Sequence, residues 1–126
     1  VATESELTGK VLRAIKQRFP GSFAIKINDR TTAGIPDAIL VVQGFVFFVE
    51  FKKMERGESA GDLWAKVSAI QRAMMAQLVR AGARVLLVGL RNVKEHVVWD
   101  IDDAGGATPL LLGFDNLLEL LDEATR

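Results

Sequence analysis

The stretch GIPDAILVVQGFVFFVEFKK, residues 34–53, constrains the fold more than any other part of the chain. Two runs rich in Val, Ile, Leu and Phe flank Gln43-Gly44, the pattern of two strands meeting at a tight turn. Residues 37–42 and 45–52 are therefore expected to pair antiparallel. Three charged side chains, Asp37, Glu50 and Lys52, interrupt this otherwise apolar hairpin. A two-residue turn pairs Val42 with Phe45 and, counting outward, Asp37 with Glu50, with Cβ atoms about 4.5–5.5 Å apart. A four-residue loop on the same centre keeps that register, whereas an odd loop or a bulge puts the two acids on opposite faces. Lys52 lies two residues beyond Glu50 and shares its face, because side chains alternate along a strand.

Two ionised carboxylates that close repel each other. At about 5 Å and an effective dielectric of about 20 the cost is roughly 3 kcal/mol, or about two pKa units. That forces a proton onto one of them unless a cation intervenes. Lys52 supplies one positive charge, and a strand neighbour only partly neutralises two. A divalent ion with hard oxygen ligands resolves the conflict, and Mg²⁺ or Mn²⁺ suits two carboxylates completed by water. Such an ion activates water against a phosphate, with Lys52 orienting that water or offsetting developing charge. The same side chains also read as an Asp–Lys–Glu ion network on a half-exposed sheet face, and the residues alone leave both readings open.

Around the hairpin the chain alternates helical and extended signals. Thr3 can cap a helix with Glu6 at the capping-box spacing, and Leu7, Val11, Leu12, Ile15 and Phe19 recur at helical spacing until Pro20-Gly21. Residues 23–28 alternate, predicting a strand with Phe23, Ile25 and Ile27 toward the core. Asp29–Gly34 is a polar loop, and MERGESAGD, 54–62, is a second one long enough for a lid. One helix from about Leu63 to Ala81, ended by Gly82, leads to a strand over Val85–Leu90 that is covered on both faces. His96–Ile101 is another strand, and Phe114–Glu123 is a Leu-rich last helix, either core or a surface for a second copy. The order α-β-β-β-α-β-β-α, with no repeat or linker, predicts one α/β domain over residues 1–126 with a mixed sheet.

Pro36-Asp37, followed on the other arm of the hairpin by Glu50-Phe51-Lys52, resembles the PD-(D/E)xK nuclease signature. The ordered set is wider. Gly34-Ile35-Pro36-Asp37, Val49-Glu50-Phe51-Lys52-Lys53, Ser68-Ala69-Ile70-Gln71 and Ala81-Gly82-Ala83-Arg84-Val85 resemble the small virus-type replication-repair nucleases (VRR-NUC). Archaeal-type Holliday junction resolvases are close relatives by the same pattern. The resemblance spans about residues 4–90, and residues 91–126 resemble no family we can name.

The resemblance implies a restriction-endonuclease-like core, a mixed sheet flanked by helices in the order α-β-β-β-α-β, with an extra strand and a C-terminal helix after it. It implies a divalent-metal-dependent, structure-selective DNA endonuclease whose products carry a 3′-hydroxyl and a 5′-phosphate. Asp37 and Glu50 would ligate Mg²⁺ (or Mn²⁺), the main-chain carbonyl of Phe51 would complete the site, and Lys52 would be the catalytic lysine. The family often adds a glutamate from the first helix. Helical phase favours Glu4, on a face with Leu7, Thr8 and Val11, over Glu6, on a face with Lys10, Arg13 and Gln17. Glu4 would act directly or through water. Gln71 interrupts an apolar stripe between Val67 and Met74, and the resemblance brings it to the catalytic centre. A boundary amide bonded to the backbone fits the same pattern. Lys26, Arg30, Lys53, Arg56, Lys66 and Arg72 come from segments around the hairpin's open end and are candidate phosphate contacts. Branched DNA is the implied partner, and a homodimer would suit so small a chain. A competing class is a non-catalytic DNA- or protein-binding module on the nuclease fold.

Composition is compatible with these readings. Apolar residues make up 49% of 126, enough for a sizeable core. There is no Cys, which excludes disulfides and thiolate sites, and His96 is the single histidine, which argues against a histidine-held zinc. Trp64 and Trp99 read as packing anchors. Lys plus Arg equals Asp plus Glu at 16 each, yet between Lys10 and Lys94 fifteen bases stand against six acids. A basic body with acidic ends could therefore present a basic face. No run of about 18 uncharged apolar residues and no charged-then-apolar leader is evident, so a cytoplasmic protein without membrane or organic cofactor is expected.

Overall fold

In the computed structural model, which describes residues 2–27 and 31–126 (the backbone course alone for 111–115), Gln43 and Gly44 both take positive φ, 51° and 85°. Positive φ at both central residues is the geometry of a two-residue type I′ turn, whose twist matches that of the flanking strands. A Gln in that region is unusual, and its side chain is held. Gln43 Oε1 accepts a hydrogen bond from Thr125 Oγ1 at 2.7 Å, at the far end of the chain. The turn has an even length, and the register follows: Val42 faces Phe45 and Ala38 faces Val49.

The elements run α1 (Glu4–Arg18), β1 (Phe23–Lys26), β2 (Ala38–Val42), β3 (Phe45–Lys53), α2 (Ala60–Ala65), α3 (Ala69–Arg80), β4 (Arg84–Leu90), β5 (His96–Ile101), β6 (Ala107–Asp115) and α4 (Leu117–Ala124). The six strands form one mixed sheet in the order β1-β2-β3-β4-β5-β6. Only the β3–β4 pair is parallel, and it needs the long α2–α3 crossover that joins it. Helices flank the sheet. On one face Leu7, Val11 and Ile15 of α1, with Leu117 and Leu121 of α4, pack on Leu40, Phe47, Val49, Phe51, Leu86 and Val88. On the other, Leu63 and Met75 of α2 and α3 pack with Val67 on Val85, Leu87 and Val97. Strand β4 is buried from Val85 to Leu90, as its unbroken apolar run predicts.

Three expectations are corrected. First, β1 is phased the other way: Ala24 is buried, whereas Phe23 and Ile25 are 51% and 41% exposed. Helix α1 covers the face that carries Ala24, and α2 and α3 lie over the opposite half of the sheet. Alternation therefore could not say which set of this edge strand points inward. Second, the helix expected over 63–81 is two helices. Ser59 and Ser68 each open one with a capping box, to Asp62 and Gln71, so the 54–62 segment is partly helical. Third, the last helix does not begin at Phe114: Phe114 and Asp115 end a further strand, β6, that was not expected. Asp102 Oδ1 accepts from the backbone N–H groups of Ala104 and Gly106 at 2.9 and 2.8 Å, closing a β5–β6 hairpin. The last helix accordingly starts at Leu117, and Leu117 and Leu121 lie in the core. His96 lies in strand β5, as expected, and has a second role there. Among the described residues no helix is long and apolar enough to cross a membrane.

His96 is fully buried, and its Nδ1 accepts from the Leu117 N–H at 2.9 Å, satisfying the first donor of α4. Burial pushes the imidazole's pKa below its ordinary value, against weaker pulls upward from the backbone of Val93 and Asn92 and the charge of Glu95. A histidine whose pKa is lowered by folding stabilises fully above its unfolded pKa, and that stability is lost as pH falls through about 6.5. His96→Leu removes the acceptor and should destabilise by ~1–2 kcal/mol at pH 7.5. The gap to wild type, read by chemical denaturation, should narrow between pH 7 and pH 5; a gap independent of pH contradicts this.

Candidate active site

The acids sit where the hairpin ends. Counting one step past Ala38–Val49 puts Asp37 across from Glu50. Asp37 lies just outside β2, and its side chain takes over a strand's work. Its Oδ2 accepts from the Phe51 N–H at 2.9 Å, while its carbonyl accepts from the Ile27 N–H, just past β1, at 2.7 Å. Asp37 thus ties three strands at their open end. Phe47, Val49 and Phe51 face α1, so alternation sends Glu50 and Lys52 to the α3 face.

Glu50 is 3% exposed and is gripped from two sides. Gln71 Nε2 donates to its Oε2 at 2.9 Å, and Lys52 Nζ lies 3.5 Å from the same oxygen. The orientation of the Gln71 amide is fixed by its second role. Its Oε1 accepts from the Ser68 N–H at 3.1 Å in the α3 capping box, so its NH₂ must face Glu50. Gln71 is thus bonded to the backbone at one end of its amide and to Glu50 at the other.

Burial pushes Glu50 up to about 7, with the charge of Asp37 adding to the effect and Lys52 opposing it. Asp37 is also raised, by burial first and by Glu4 second, against the Phe51 N–H, Lys52 and Lys26. Glu4 belongs to the neighbourhood through its charge, and its Oε2 accepts from the Lys53 N–H at 3.1 Å. Glu6 points elsewhere, bonding the cap residue Thr3.

Two cavities flank the pair. One, about 240 Å³, is lined by Glu4, Ser5, Thr8, Lys26, Ile27 and Asp37. The other, about 540 Å³, lies between the 32–35 loop and the start of α3 and includes Lys52, Lys66 and Gln71. The loop is seated tightly there. Gly34 has φ 77°, and a Cβ on it would stand 2.7 Å from the Ile70 carbonyl oxygen. Only glycine meets both demands.

The basic candidates divide. Lys26 faces the acid cavity, with Nζ donating to Ser5 Oγ at 2.8 Å. Lys66 reaches the larger cavity but is paired with Glu58 at 2.6 Å. Lys53 and Arg56 line a separate groove with Arg91. Arg72 is engaged structurally: it donates to the Trp64 carbonyl at 2.9 Å and stacks 4.3 Å over that ring, clamping α2 to α3. Arg30 lies outside the described residues. Sequence reasoning missed Ser68 as the residue that aims Gln71, although its S-x-x-Q spacing is a readable capping-box signal.

Among the described residues no three His, Cys, Asp or Glu side chains converge as a metal site. Asp37 and Glu50 alone nevertheless suit a hard divalent cation. Both are oxygen donors, both are held above their ordinary pKa by burial, and one lysine leaves the pair under-neutralised. An acid whose pKa is raised by folding destabilises progressively as pH rises from its unfolded value, 4.5, to its folded value, about 7. In the presence of EDTA, Glu50→Gln should therefore melt higher than wild type at pH 8, by ~1–3 kcal/mol, and equal to it near pH 4. A lower melting temperature at pH 8 contradicts the assigned strain. No protein-family model matches the chain, and no curated protein sequence matches it.

Proposed function

We propose that this chain is a divalent-metal-dependent deoxyribonuclease with a restriction-endonuclease-like core, hydrolysing phosphodiester bonds in branched or otherwise structured DNA. The observation that carries the reading is the set of contacts around Glu50: Asp37 across the hairpin, with Gln71 and Lys52 on the same carboxylate oxygen. An ion network built for stability has no need of a charge so deeply buried, since apolar replacements stabilise as well or better. The order α1-β1-β2-β3, helix, β4, with β3 and β4 parallel, agrees with the core that the VRR-NUC resemblance implies.

Asp37 and Glu50 would hold Mg²⁺ or Mn²⁺, with the Phe51 carbonyl, while Glu4 adds negative charge from the helix side. When bound there, the cation supplies positive charge against the phosphodiester and acidifies water. Gln71 keeps Glu50 in one rotamer, so the carboxylate needs no reorganisation on binding. The Lys52 ammonium, half-buried beside Glu50, offsets the charge that grows on the phosphoryl oxygens as water adds to phosphorus. The P–O3′ bond then breaks and the leaving oxygen takes a proton, giving a 3′-hydroxyl and a 5′-phosphate. Lys26 borders the smaller cavity and would contact a flanking phosphate, whereas Lys66, paired with Glu58, lines the larger one.

The test is cleavage of a panel of labelled junction, flap and duplex DNAs with Mg²⁺ and with EDTA. Asp37→Asn is the better variant than Asp37→Ala, because it keeps an acceptor for the Phe51 N–H. Asp37→Asn and Lys52→Ala should each lower the metal-dependent rate by ~10²–10³-fold with the fold retained, and Gln71→Ala by about tenfold. Wild-type rates in either of the first two sink the assignment. The small number of converging acids among the described residues favours one other reading, a non-catalytic DNA-binding module. It predicts DNA binding without cleavage in any metal.

A further inference from the structure

The larger cavity has a mixed lining. Lys52, Lys66, Ser68 and Gln71 are its polar part. Ile35 and Ile70 are apolar, and Ile70 is 59% exposed although it is the one large apolar side chain on the first turn of α3. Its position is not loose. A Cβ on Gly34 would come within 2.9 Å of Ile70 Cγ2 as well as 2.7 Å of its carbonyl oxygen, so the loop gives up a side chain to let this residue seat against it. The Gln71 next to it is bonded at both ends, which fixes the backbone that presents Ile70. A rigid, water-facing aliphatic side chain beside a lysine suits a ligand that is flat and apolar at one end and anionic at the other. Nucleotides have that form, and a cavity of about 540 Å³ has room for one.

We propose that this cavity is a nucleobase subsite. It takes the base of a nucleotide next to the cut phosphate, laid against Ile70 and Ile35, with that nucleotide's phosphate toward Lys52. This deepens the nuclease reading and rests on it. A base can reach the subsite only after leaving its stack, which is easiest at a flap, branch or mismatch, so the subsite selects structured DNA without reading base identity. Lys66 is already neutralised by Glu58 and contributes the wall more than the charge. The side chain of Ile70 is exposed, so its replacement leaves the core untouched.

The experiment measures binding of fluorescein-labelled DNA to the full chain in EDTA, where no turnover occurs. Three DNAs share one sequence: a paired duplex, the same duplex with a short unpaired flap, and the flap with an abasic site at its first unpaired position. Wild type should prefer the flap to the duplex and lose on the order of tenfold of that preference with the abasic flap. Ile70→Ser should show the same loss, with no further loss on the abasic flap, and Ile70→Leu should restore the preference. An unchanged preference in Ile70→Ser, equal binding of the abasic flap, or no preference in wild type overturns the subsite. Base-dependent binding without metal-dependent cleavage overturns the nuclease reading and leaves the subsite standing.

Discussion

Two carboxylates facing each other at the open end of an apolar hairpin are the constraint around which the rest of this molecule is arranged. Buried charge of one sign is unfavourable, and the chain surrounds it with partners rather than removing it. Asp37 is held by the Phe51 N–H, and Glu50 is held by Gln71 and approached by Lys52. The residual strain remains in the raised pKa of both acids.

Each neighbouring element is tied to that pair by a definite contact. Helix α1 brings Glu4 to the end of β3 through the Lys53 N–H. Helix α3 brings Gln71, and the break between α2 and α3 makes this possible. An unbroken helix would have no capping box at Ser68, and the Gln71 amide would have lost the bond that orients it. The Gly34 contact presses the 32–35 loop onto the same helix start. The hairpin turn is fastened from the opposite end by Thr125, so the register that aligns the acids is braced at both ends of the strands.

Much of this was legible in the residues because period and turn chemistry are local. The alternation around Gln43-Gly44 implied the pairing of Asp37 with Glu50, and the turn observed there keeps it. What escaped was set by tertiary context. The sequence FAIKIN alternates equally well with either set inward, and only the placement of helices over the two sheet faces chooses Ala24. The Leu run of β6 is apolar enough for a buried helix or a strand, and the Asp102–Gly106 turn pulls it into the sheet. The division of labour among the lysines and arginines was invisible too. Whether Arg72 faces a phosphate or Trp64 depends on a stacking partner eight residues away.

The central claim is that Asp37 and Glu50 form an under-neutralised pair that a divalent cation completes. Calorimetric titration of Mn²⁺ into wild type and Asp37→Asn at pH 8, above the value of about 7 to which Glu50 is pushed, tests it most directly. Saturable binding to wild type, lost or strongly weakened in Asp37→Asn, is the predicted result. Absence of binding to wild type, or equal binding to both proteins, would contradict it.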